Sequence, residues 1–140
     1  MNAKQYLKQA YRLNELIKNN QQELDELQEL STNLPGTDYS KDRIQSSPSG
    51  DATYVRIVEK IVELEKIIQK DIEELLSLKL EIRNVINEID DNEHKLLLMC
   101  RYLNFMTWDD ICEKMNVSSR TVHRIHGNAL LNVKVPEKYS

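Results

Sequence analysis

The chain is short of the residues that bend a backbone: three Gly and three Pro in 140 residues. A sheet protein needs turn residues at close intervals, and a phosphate-cradling loop needs glycines together, so both are disfavoured. No apolar run approaches the ~20 residues of a transmembrane helix. The opening MNAKQYLKQAYRLNE is too polar for a signal peptide, which makes the cytoplasm the expected compartment. Cysteine is equally scarce. Cys100 and Cys112 both sit inside apolar helical patterns and read as buried, reduced thiols. No spaced carboxylate pair or nucleophile–base set is present, so no enzyme and no cofactor is expected.

What the chain has is apolar and charged residues in a helical mixture, 40% and 30% of the total. The net charge of −4 hides a division. Residues 1–93 carry 12 Lys and Arg against 19 Asp and Glu, and residues 94–140 carry 7 against 4. A basic end of that kind suits contact with phosphates, and an acidic remainder suits contact with protein.

From Ala3 to Leu30 the residues Tyr6, Ala10, Leu13, Ile17, Asn20, Leu24 and Leu27 step by four and three, the seam of a long helix. Asn20 either fixes register as a buried polar member of that seam or marks a place where the seam meets solvent. Residues 31–51, STNLPGTDYSKDRIQSSPSGD, break the pattern with turn and linker residues and read as a flexible loop at a hairpin tip. A second seam then runs Tyr54, Val58, Ile61, Glu65, Ile68, Ile72, Leu75, Lys79, Ile82, Ile86 and Ile89. Additional apolar residues widen it beyond what one partner helix covers. The economical arrangement is an antiparallel hairpin that also pairs with a second copy of the protein. Leu13, Ile17, Asn20, Leu24, Ile68, Ile72 and Leu75 are the candidate oligomerisation residues.

After Asp90-Asp91-Asn92, which offers an N-cap, a helix carries Leu96 to Leu103 and fades near Asn104-Phe105. Thr107 and Asp110 form a capping-box pattern that opens a helix over Trp108–Met115. Asn116 suits the left-handed exit from it, and Ser118 suits the cap of the next helix. Cys112 supplies the small residue where two helices cross, and Val122 the aliphatic residue opposite. Small residue, turn residue, aliphatic and serine cap make the pattern of a DNA-binding helix-turn-helix.

The residues facing away from that core are Ser118, Ser119, Arg120, Thr121, His123 and Arg124, types that bond phosphates or base edges. Lys114 and Lys134 are candidates for additional backbone contacts. His94, His123 and His126 with the two cysteines lack metal spacing, and the histidines fall where the DNA-facing surface is expected. No metal site is expected. Gly127-Asn128 reads either as a place of close backbone approach or as an early end to the helix.

The segment CRYLNFMTWDDICEKMNVSSRTVHRIHGNAL resembles region 4 of bacterial sigma factors through Arg101-Tyr102, Thr107-Trp108, Ile111, Val117-Ser118, Thr121-Val122 and Ala129-Leu130. It departs at Phe105 and Asn116, where glycine is common, and at Cys112, where alanine is usual. Together with the opening MNAKQYL, the chain is similar to RinA/ArpU-like late-gene activators of phages and prophages of Firmicutes. That resemblance implies a phage transcription regulator that activates late genes such as packaging and structural operons. The helix-turn-helix and the hairpin themselves lead to the expectation of a homodimer on double-stranded DNA in the host bacterial cytoplasm, with host RNA polymerase recruited by the acidic helical part.

The expected fold is all-α: a long antiparallel, coiled-coil-like hairpin over 1–90, then a three-helix helix-turn-helix head over 91–135. Alternatives are a small-terminase-like DNA-packaging protein and a protein-only adaptor that binds RNA polymerase.

Overall fold

Asn2 starts the first helix. Its Oδ1 accepts from the Gln5 N–H at 2.8 Å, and Gln5 Oε1 accepts from the Asn2 N–H at 3.0 Å. This reciprocal pair satisfies two donors that a helix start leaves without partners. The computed structural model describes residues 1–33 and 48–139, and every regular element among them is helical. Helix α1 spans Ala3–Thr32 and α2 Pro48–Asn87. Then follow α3 (Asn92–Leu98), a π-helical segment (Met99–Leu103), α4 (Trp108–Met115), α5 (Ser119–Leu131) and a 3-10 turn (Glu137–Tyr139). None of these helices is long and apolar enough to cross a membrane.

The all-α fold with its antiparallel hairpin of long helices is as expected. Most of the loop expected over 31–51 lies outside the described residues. Helix α2 begins at Pro48 rather than Ala52. A proline is at home in a first turn, where its missing N–H has no intrahelical partner in any case.

Two compact units result, residues 1–14 with 74–140, and residues 15–73. They cut the chain differently from the division at 90/91 drawn from the sequence. In the larger unit, Tyr6, Leu7 and Ala10 of α1 and Ile82, Ile86 and Ile89 share one core with Leu97, Leu98, Ile111, Val122 and Ile125 of the head. Glu81 ties that unit together. One carboxylate oxygen accepts from the hydroxyls of Tyr6 at 2.9 Å and Tyr139 at 3.1 Å, and the other pairs with Lys138. Burial pushes the Glu81 carboxyl up, but the hydrogen bonds from Lys138, Tyr6 and Tyr139 outweigh it and hold it below its ordinary range.

In the smaller unit the core is Leu24, Leu64 and Ile68, flanked by Ile17, Leu27 and Ile61. The seam of α1 is the one anticipated. On α2 the inward row differs. Ile61, Ile68, Leu75, Ile82 and Ile86 belong to it as anticipated, and Ile89 follows just past the helix end, but Leu64 is buried where Glu65 was expected, and Ile72 is exposed. Two apolar rows lie one residue apart on this helix, and packing selects the one without the glutamate, since an unpaired carboxylate is costly to desolvate.

Candidate nucleic-acid interface

Local devices start α4, end it in a tight turn and start α5. Thr107 Oγ1 accepts from the Asp110 N–H at 3.2 Å and caps α4. Asn116 leaves α4 at φ 56°, ψ 50°, the left-handed conformation that asparagine tolerates better than most side chains. The Val117 N–H then donates to Cys112 O at 3.0 Å. Ser118 caps α5, its Oγ accepting from the Thr121 N–H at 3.2 Å.

Helix α5 buries Val122, Ile125, His126 and Ala129, spaced three and four apart along one face. Opposite them, Ser119, Arg120, His123 and Arg124 are exposed. These are four of the residues proposed from the sequence to meet DNA. Two others have work inside the turn. The Ser118 hydroxyl donates to Thr121 Oγ1 at 3.0 Å while capping the helix, and Thr121 is half-buried. Lys114 is exposed in the last turn of α4, and Lys134 is exposed beyond α5. Gly127 continues the outer row, three residues beyond Arg124, within an unbroken helix. A Cβ there would meet nothing within 4 Å. The helix does not end here but runs on to Leu131, and the Gly127 backbone is open to approach from outside.

The histidines separate. His126 does not face outward as supposed: it is buried, with Nε2 2.7 Å from the Tyr102 hydroxyl. Burial, helped by the positive charges of Lys4, His123, Arg101 and Lys8, pushes its pKa down to about 4. The ring is neutral at pH 7. His123 is exposed and packs its ring 4.7 Å from that of Trp108. The Arg101 guanidinium lies 4.5 Å from the same indole, and its Nη1 donates to Met106 O at 2.9 Å. His94 is half-buried and shares a 3.2 Å hydrogen bond with Asn132. Among the described residues no group of His, Cys, Asp and Glu is placed to hold a metal ion.

Of the candidate oligomerisation residues, Leu24 and Ile68 are buried in the core of the smaller unit and Ile17 packs against it. Leu75 packs against the core of the larger unit, Leu13 and Asn20 are half-buried, and Ile72 is exposed.

Beside the head is a cavity of about 330 Å³ lined by Lys8, Tyr11, Arg12, Arg101, Tyr102, Phe105 and Thr107. The reading of the sequence did not find it. Its signal was available: Lys4, Lys8 and Arg12 step by four along α1, and no acidic residue precedes Glu15. Phe105 forms one wall from a left-handed backbone, φ 56°. Its ring meets Tyr11 edge-on at 5.8 Å and carries Lys79 Nζ 4.6 Å from its centre.

Fold and site together define an all-helical protein whose head joins α4 to α5 by a three-residue, left-handed turn. Residues 34–134 match the family described as protein of unknown function (DUF1492), and the chain belongs to that family. No curated protein and no solved structure matches it.

Proposed function

We propose that the chain is a sequence-specific DNA-binding transcription regulator that reads the major groove with α5. The observation that carries this is the row Arg120, His123 and Arg124, exposed on a helix whose opposite face is buried in the head. Arginine forks onto guanine O6 and N7, and serine at a helix start reaches phosphate or base. A phage or prophage origin and activation of late genes rest on the resemblance of the RY-to-AL segment to sigma region 4 and RinA/ArpU-like activators.

The protein acts as a dimer through its hairpin. Two helices whose shared core in the smaller unit is Leu24, Leu64 and Ile68 leave Val55, Val58, Val62, Ile67 and Ile72 exposed, and a second copy of the chain covers them. The acidic hairpin is the surface offered to host RNA polymerase.

The test is selection from random duplexes at physiological salt, paired with the mass of the protein in solution. A motif of two spaced half-sites and a two-copy mass are expected. Arg120→Ala and Arg124→Ala should each weaken binding, by ~1–3 kcal/mol for an arginine that reads a base, with helix content unchanged. Retention of no sequence above the input would sink the promoter-reading role, and a ring of many subunits would favour the packaging alternative.

A further inference from the structure

We infer that the cavity between the start of α1 and the α3–α4 turn is a seat for a phosphodiester of the DNA backbone. Residues far from α5 in sequence would thereby belong to the same interface. The inference rests on the reading of α5 as a DNA-binding helix.

Three cations, Lys8, Arg12 and Arg101, line the cavity, and no carboxylate does. Neither Lys8 nor Arg12 has an ion-pair partner among the described residues, so both are available to an incoming anion. Arg101 is held in place: one guanidinium nitrogen donates to Met106 O and the group lies over Trp108, while its remaining N–H groups stay free to donate. Thr107 accepts from the Asp110 N–H and keeps its own hydroxyl hydrogen for a ligand. Such a set of donors suits a phosphate oxygen pair, which guanidinium groups recognise in forked geometry.

Position selects the source of that phosphate. Arg101 packs on Trp108, and Trp108 packs on His123 of the exposed row. The cavity thus lies two ring contacts from the reading face. Each DNA strand carries a phosphate about every 3.4 Å along the axis, so a duplex laid on that row supplies anions at such a spacing. Phe105 gives an independent sign. A bulky side chain at positive φ is strained, and strain of this kind gathers at functional sites. Here it holds an aromatic wall against Tyr11 in the lining of the basic pocket.

The experiment compares wild-type protein with Lys8→Gln and Arg12→Gln on the duplex recovered by selection, measuring affinity from 50 to 300 mM salt. Lys66→Gln, which removes an exposed charge from the smaller unit, is the control, and circular dichroism checks that each variant is folded. Both cavity variants should bind roughly tenfold more weakly. Their slopes of log affinity against log salt should fall by about one, with the preferred sequence unchanged. Slopes equal to wild type, or an equal loss in Lys66→Gln, would overturn the phosphate seat while leaving the reading of α5 intact. If wild-type protein retains no duplex, the reading of α5 falls and the seat falls with it.

Discussion

The two compact units are made of the same residue types but are held together differently. Among the described residues, fifteen side chains are buried in one cluster in the unit of residues 1–14 and 74–140, against three in the unit of residues 15–73. Their charges differ as well. The first carries 12 Lys and Arg against 10 Asp and Glu, and the second 7 against 13. A unit with a filled core and a positive surface can hold rigid groups toward an anion. A pair of acidic helices with a small core draws little stability from its own packing, since helices in water depend on what their apolar faces meet. On the proposed reading, the DNA-facing part would then extend beyond the three head helices. Tyr6, Leu7 and Ala10 complete its core, and Lys8 and Arg12 extend its basic surface.

The sharpest way to break that contrast is to make the same deletion in each unit. Leu97→Ala empties a fully buried site and should cost ~2–5 kcal/mol in urea unfolding. Leu64→Ala removes the same atoms from a core with few neighbours that can close around the gap, and about 1–2 kcal/mol is expected. Equal costs would show that Leu64 is packed as tightly as Leu97. A Leu64→Ala midpoint that rises with protein concentration would identify a second copy as the source of that packing.

Acid should act on the larger unit through His126. Its folded pKa of about 4 lies below the ordinary 6.5, so between those values the unfolded chain takes up a proton that the folded chain refuses. Stability from this group is complete above pH 6.5 and declines as pH falls toward 4. Melting temperatures between pH 7 and 4.5 should drop for wild type. In His126→Gln, which keeps a partner for the Tyr102 hydroxyl, the part of the slope between pH 6.5 and 4.5 should flatten. Parallel curves would mean that other groups carry the whole effect.

The parts that were legible in the sequence are those decided by neighbours in the chain. Thr107, Asn116 and Ser118 act within three or four residues of themselves, and cap chemistry fixes their roles wherever the helices pack. The row on α2 was not legible in this way. Ile61, Ile68, Leu75, Ile82 and Ile89 fit either of two adjacent seams, and only contact with α1 chooses Leu64 over Glu65. His126 was readable in principle, since it shares the buried stripe of Val122, Ile125 and Ala129. Its polarity argued for the surface, and the partner that satisfies it, Tyr102, is 24 residues away. The cavity depends on bringing residue 12 beside residue 101, which no local pattern encodes.

The smallest expected effect separates stability from recognition at one position. Gly127 sits mid-helix without a positive φ, and an added Cβ meets nothing within 4 Å. Gly127→Ala should therefore raise stability by ~0.5–1 kcal/mol, the usual gain when alanine replaces a helical glycine. Yet the position lies on the outer row with Arg120, His123 and Arg124, where a methyl group would hold off a surface that approaches the backbone. A variant that melts higher but binds DNA more weakly is the expected result, because contact with an outside partner then explains a glycine that folding alone disfavours. A variant that melts higher and binds as wild type would show that no partner approaches this backbone, and would confine the proposed groove contact to the start of α5, at Ser119 and Arg120.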